Sequence, residues 1–292
     1  MAKKTKDKQV LQWHPAFFAS IQIELAEEAD QLIFENEHQL GTKPKEIDVL
    51  IIKKNSEEQI RKNLGRIFRT HNIVEYKSPD DYLSIDDFYK VYGYACFYKS
   101  DVAKVDAIKA DDITVTFVCK SYPHKMMKHV ENSRQLLVNR YEDGIYYIQG
   151  DIIPMQLIVT SELSEEDNLW LRYLTNDLHE RTTVEQLIEA YGKHRDEKLY
   201  KSAMDIIVRA NYEKFEEVRE MCDALEELME DWIQDKIVER ENIAQEKGHA
   251  EAKEEIIINC LKRNKDAQIV SDFLGIPLEV IKEIEQKMLQ SC

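Results

Sequence analysis

Glycine and proline are scarce, at eight and six among 292 residues. The glycines nowhere form a G-x-x-x-x-G-K run, so the backbone cradle that nucleotide-triphosphate hydrolases build around phosphate is missing. Cysteine is scarcer still: Cys96, Cys119, Cys222, Cys260 and Cys292 are scattered, odd in number and never spaced as C-x-x-C. Such a set provides neither a disulfide frame nor a thiolate zinc site, and reduced thiols in a cytoplasmic protein are expected. No apolar run approaches the roughly 20 residues that span a bilayer. The lysine-rich start, MAKKTKDKQV, leads into no apolar core of signal-peptide length. Neither a membrane segment nor a leader is expected.

Positive charge is also in deficit. Forty Lys and Arg face 56 Asp and Glu, a net charge of −16, which argues against a protein that coats nucleic acid. The acid is unevenly placed, gathering after about residue 160 in SELSEEDN, EKFEEVRE and ALEELMEDW. The earlier part carries basic clusters instead, in IIKK, QIRKNLGRIFRTH and CKSYPHKMMKH. A localised cleft for an anionic substrate therefore stays open. With 43% hydrophobic and 33% charged residues the chain can bury a globular core.

The apolar pattern predicts a first helix over WHPAFFASIQIEL and a half-buried strand in ADQLIFENEHQL. A strand with a fully apolar middle, EIDVLIIKK, follows the turn GTKPK. A third strand, in LGRIFRTHNIVEYKS, stops at Pro79. Ser84 and Asp87 form a capping-box pair ahead of SIDDFYKVYGYACFYKSD, where Ile85, Phe88, Tyr92 and Cys96 recur at helical spacing. DITVTFVCK reads as a strand, PHKMMKHVENSRQLLV as a helix, and GIYYIQG and MQLIVTSEL as extended. Beyond Ser164 the pattern turns helical.

The chemistry concentrates in IVEYKS. Residues two apart on a strand share a face and lie roughly 6.5–7 Å apart along it, so Glu75 and Lys77 point one way and Tyr76 the other. Asp48 stands among Ile47, Val49 and Leu50 on the preceding strand. If the two strands pair as a meander, about 4.8 Å apart, Asp48 can stand beside Glu75. Adjacent carboxylates repel unless a cation lies between them, and hard oxygen ligands suit Mg²⁺ or Mn²⁺. An ammonium at Lys77 could then orient the attacking water and offset charge developing on a phosphate. Against this, most Glu-x-Lys triplets in a highly charged chain are solvated strand faces.

The order α-β-β-β-α-β, with EIDVLII and IVEYKSP, resembles the PD-(D/E)XK nuclease superfamily over roughly residues 13–165. It is most similar to the bacterial branch of PD-(D/E)XK family transposases and recombination-promoting nucleases. Ile47 stands where the superfamily's name has proline. The resemblance implies a restriction-endonuclease-like α/β fold, a mixed sheet flanked by helices, and Mg²⁺-dependent hydrolysis of DNA phosphodiesters. It matches Asp48, Glu75 and Lys77 to the motif. It further implies an acid from the first helix as a metal ligand, for which Glu24 fits best, with Glu27 and Glu35 as alternatives.

Lys53, Arg66 and Arg69 flank the proposed site as candidate phosphate contacts, with solvated edges the competing explanation. His14, His71 and His124 read as loop or surface histidines. Tyr82, Tyr89, Tyr92, Phe97 and Tyr98 could stack on bases, although helical spacing sends most of such a set into a core. The expected organisation is a nuclease-like domain over 1–163 and a helical extension over 164–292. Within the extension, Phe215, Val218, Cys222, Leu225, Met229 and Trp232 alternate three and four apart, in a short heptad segment at about 212–238. That seam suits a homodimer or packing within the chain equally. The tail NKDAQIVSDFLGIPLEVIKEIEQ reads as a helical hairpin whose second helix carries too few Lys and Arg for a DNA reader.

Overall fold

The structure, a computed structural model, describes residues 11–35, 50–218, 225, 228–229, 256–258, 260–261 and 266–290. The chain divides into two compact units, residues 1–226 and 227–292.

The first unit is an α/β fold around a seven-stranded mixed sheet. Helix α1 (Trp13–Glu24) precedes a meander of β1 (Leu32–Glu35), β2 (Leu50–Lys54) and β3 (His71–Tyr76). Helix α2 (Ile85–Ser100) crosses over to β4 (Ile113–Cys119). Helix α3 (His124–Asn132), the hairpin β5 (Leu137–Glu142) and β6 (Ile145–Gln149), and β7 (Met155–Val159) complete the sheet. The strand order is β1-β2-β3-β4-β7-β6-β5. Parallel β3, β4 and β7 form the centre, with antiparallel pairs on either flank. The centre is covered on both faces, so β4 is buried along its whole length and is rich in β-branched residues.

The two faces differ in chemistry. On one, Ile73, Val115, Phe117 and Leu157 meet Phe88, Val91 and Ala95 of α2 and Met126, Met127 and Val130 of α3 in a continuous apolar core. The other face carries a buried polar row. Thr114 Oγ1 donates to Asn72 Oδ1 at 2.6 Å, and Gln156 Nε2 donates to Thr116 Oγ1 at 3.0 Å and to Leu64 O at 2.8 Å. Helix α1 lies over this second face, with Phe17 stacked on Tyr76 at 4.2 Å.

Four more helices belong to the same unit: α4 (Leu169–Arg172), α5 (Arg181–Gly192), α6 (Lys198–Ala210) and α7 (Tyr212–Glu216). Both α4 and α6 pack on α1, burying Trp170, Leu171, Met204 and Ile207. The boundary expected at 163/164 therefore falls inside a compact unit, because α1 has an apolar flank that only these later helices cover. The expected third strand is also shorter, starting at His71, with a 3-10 turn at Asn63–Gly65 before it. The helix expected through RQLLV stops at Asn132, and Leu137–Glu142 is strand β5. A turn at Gly144, whose φ is +72°, closes that hairpin. A Cβ at this glycine would stand 2.7 Å from Val159 O, so both backbone angle and space call for glycine.

Of the heptad positions, Phe215, Val218, Leu225 and Met229 are buried, while Cys222 and Trp232 lie outside the described residues. Helix α7 ends at Glu216, and Glu217 and Val218 form a turn, so the seam does not begin on one unbroken helix. In the second unit α8 (Ala267–Leu274) and α9 (Leu278–Gln290) form the expected hairpin. Asp266 caps α8 by accepting from Gln268 N at 2.7 Å, and Gly275 ends it in the left-handed conformation at φ 65°. Ile257, Val270, Ile276, Ile281 and Ile284 form its small core. Among the described residues no helix is long and apolar enough to cross a membrane, and Cys96, Cys119 and Cys260 are free thiols.

Candidate active site

Where β3 ends, the amide of Lys77 still donates to Val118 O of β4 at 2.9 Å. The alternation of the strand continues to that point. Ile73, Glu75 and Lys77 face α2, and Asn72, Val74 and Tyr76 face α1. The chain then turns through Ser78–Leu83, with Asp81 N donating to Ser78 O at 2.9 Å, and enters α2 directly beside the strand end. Ser84 caps the helix. Its hydroxyl accepts from Asp87 N at 3.1 Å, and its amide donates to Asp87 Oδ2 at 2.8 Å. The predicted capping box is present.

These elements bring three charges together. The Lys77 Nζ lies 3.1 Å from Glu75 Oε1 and 2.8 Å from Asp87 Oδ1. Glu75 is only 3% exposed. Burial raises its pKa above the ordinary carboxylate value, against the pull of the Lys77 and Lys90 ammonium groups. For Lys77 burial works downward, but the hydrogen bond to Asp87 and the charge on Glu75 outweigh it and hold the amine protonated above its usual range. Asp87 is pushed up by burial and held down more strongly by Lys77 and Ser84, so it stays ionised below the usual carboxylate range. The other oxygen of Glu75, Oε2, is buried with no hydrogen-bond partner among the described residues. Such a group is costly unless something else meets it.

Of the residues expected here, the structure brings together Glu75 and Lys77. Asp48 lies outside the described residues, just before the paired Leu50 and Val74. Glu24 is elsewhere. It sits on α1, over the face opposite to Glu75, about 10 Å along the helix from the Phe17 that covers Tyr76. Its Oε1 accepts from the amides of Trp170 and Leu171 at 2.9 and 3.1 Å, and its Oε2 pairs with Lys62 at 2.9 Å. Both oxygens are thus taken by the start of α4 and by a lysine. Of its alternatives, Glu27 is exposed on the same side and Glu35 pairs with Lys53.

Of the three candidate phosphate contacts, Lys53 and Arg69 lie near the start of β3, while Arg66 reaches toward β5 at the other edge of the sheet. Lys53 stands opposite His71, at the beginning of β3. Arg66 is paired with Glu142, and Arg69 Nη1 donates to Asp111 O at 3.3 Å. Glu75 lies six residues beyond Arg69 in sequence, roughly 20 Å along extended chain. His71 bonds Tyr98 through Nδ1 at 2.9 Å, and burial lowers its pKa. His14 meets Tyr76 edge-on, and His124 packs against Tyr122. Tyr98 is buried, Tyr92 bonds Asp151 at 3.0 Å, and Tyr82, Tyr89 and Phe97 are exposed. A cleft of about 680 Å³ adjoins the strand end, lined by Trp13, His14, Ser78, Asp80, Asn176 and Arg209.

Asp87 is the member that sequence reasoning assigned only to helix capping. Its second partner depends on how α2 folds back over β3, which spacing along the chain does not encode. A charged N3 residue shortly after a Glu-x-Lys strand end is the one signal that could have suggested it. Among the described residues no group of three His, Cys, Asp or Glu side chains could hold a metal ion. No family model, no curated protein and no solved structure matches this chain.

Proposed function

We propose that the protein is a cytoplasmic, metal-dependent endonuclease that hydrolyses DNA phosphodiester bonds at the carboxyl end of β3. The observation that carries this is the pairing of Glu75 and Lys77 beside a buried carboxylate oxygen that has no hydrogen-bond partner among the described residues. A free, desolvated carboxylate oxygen is the kind of donor a hard divalent cation takes. Glu75 would hold Mg²⁺ or Mn²⁺ with Asp48, two residues ahead in sequence of Leu50, which pairs with Val74 of β3. The cation, when bound, supplies Lewis-acid polarisation of a phosphate oxygen. Lys77 remains a fixed positive charge throughout the neutral range. From there it can donate to a non-bridging oxygen and offset the charge that builds as the phosphate becomes five-coordinate.

The test is cleavage of labelled single- and double-stranded DNA in Mg²⁺ and in Mn²⁺. Wild type should cut, chelation should stop it, and Glu75→Gln and Lys77→Met should each lose about a hundredfold or more in rate. A wild type inert on both substrates, or variants with full activity, removes the proposal.

A second function, binding without catalysis, is favoured by a specific observation. Lys77 is already engaged by two carboxylates, and Lys53 and Arg66 are each ion-paired away from the site. Calorimetric titration with Mn²⁺ separates the two functions, since a binding module need take up no metal through Glu75.

A further inference from the structure

We propose that Asp87 is the positioning residue for Lys77, a fixed anchor on α2 that holds the ammonium at the strand end whatever Glu75 is engaged in. The proposal rests on Glu75 and Lys77 being the reacting pair of a nuclease. Asp87 divides its two oxygens between two tasks. Oδ2 accepts from the Ser84 amide at 2.8 Å and from the Ser84 hydroxyl at 2.6 Å, while Oδ1 takes Lys77 at 2.8 Å. The first set locks the carboxylate and leaves the second oxygen pointing at the lysine. The backbone beneath is equally fixed, because the next residue, Phe88, is fully buried against Phe117 of β4 at 5.9 Å.

Glu75 has no comparable tether. It meets Lys77 through Oε1 at the longer distance of 3.1 Å, and Oε2 has no hydrogen-bond partner among the described residues. If Glu75 alone held the lysine, any ligand drawing on its carboxylate would release a four-carbon chain with several rotatable bonds. With Asp87 in place the ammonium keeps a partner of full charge. Charge-assisted contacts of this length are the stronger class of hydrogen bond, and small losses of alignment at a reacting centre are expensive in rate.

A role in capping alone makes a different prediction. Asparagine at 87 keeps an acceptor oxygen for Ser84 but turns an uncharged amide toward Lys77. Full-length wild type, Asp87→Asn, Lys77→Met and the double variant would be compared on duplex DNA with Mn²⁺. Rates would be expressed per folded molecule, and thermal melts would be run alongside. Asp87→Asn should lower kcat about tenfold to a hundredfold with KM and Tm near wild type, and the double variant should cut no more slowly than Lys77→Met. Glutamate at this position, Asp87→Glu, retains both the cap and the charge and should recover part of the loss. A wild-type kcat in Asp87→Asn, or a double variant slowed by the product of the single effects, overturns the role of Asp87 while leaving the nuclease intact. A Tm that falls in step with kcat, with no recovery in Asp87→Glu, reduces Asp87 to a cap. A wild type that cuts no DNA overturns both.

Discussion

Glu75 and Asp87 stand 3.1 and 2.8 Å from the same ammonium yet respond to pH with opposite sign. Burial lifts the folded pKa of Glu75 above its ordinary 4.5, so the folded state grips that proton more tightly than the unfolded chain does. Its contribution to stability is full below the unfolded pKa and is lost as pH rises through the folded one. Asp87 is held below its ordinary 3.8, so its contribution is present above that value and lost as pH falls through the folded pKa. Replacing Glu75 with Gln removes a charge that the fold disfavours at neutral pH, and Lys77 keeps Asp87. Melting curves of Glu75→Gln should thus lie a few degrees above wild type at pH 8 and converge with it toward pH 4. A lower Tm at pH 8 would mean that the Glu75–Lys77 pair outweighs its desolvation. The pairing of Glu75 with Lys77 was legible because strand alternation alone places two residues on one face. The partners of Lys53, Arg66 and Glu24 were not, since each lies on an element whose approach no local pattern specifies.

Among the elements, the hydrogen bonds that join α1 to the start of α4 run through one side chain. Glu24 receives two α4 amides and the Lys62 ammonium from a position 7% exposed, and burial raises its pKa in spite of them. Glu24→Ala leaves a lysine and two amide groups without their acceptor and should cost about 3 kcal/mol in urea unfolding. The rate of DNA cleavage per folded molecule should stay at the wild-type value. Lost cleavage with unchanged stability would return Glu24 to the reacting centre. Where apolar period and end signals agree, the elements were readable: α2 with its Ser84–Asp87 cap, β4 with its β-branched run, and the α8–α9 hairpin with its glycine. Strand β5 was missed for the opposite reason. None of its residues is fully buried, so no inward-facing alternation marks it, and the apolar LLV of RQLLV reads as a continuation of α3. The Asp-Gly pair at 143–144 was the available clue.

At the scale of the whole molecule, the sheet is closed on one face by α2 and α3 and on the other by α1, whose own outer flank is covered by helices supplied later. Chain 1–163 would expose the apolar flank of α1 that Trp170, Leu171, Met204 and Ile207 cover. It should melt without a cooperative transition, whereas chain 1–226, the full compact unit, should retain one by differential scanning calorimetry. A sharp, wild-type-like melt from 1–163 would restore the shorter domain. The mixed sheet and the helical character after Ser164 were legible in the pattern, but the boundary was not, because a change in composition need not be a change in packing. One consequence follows from the cluster at the end of β3. Glu75, Lys77, Ser84 and Asp87 all come from a single uninterrupted piece of chain, so their mutual alignment owes little to distant loops. Insertions elsewhere in the polypeptide that leave α2 seated on β4 through Phe88 and Phe117 should therefore preserve that alignment.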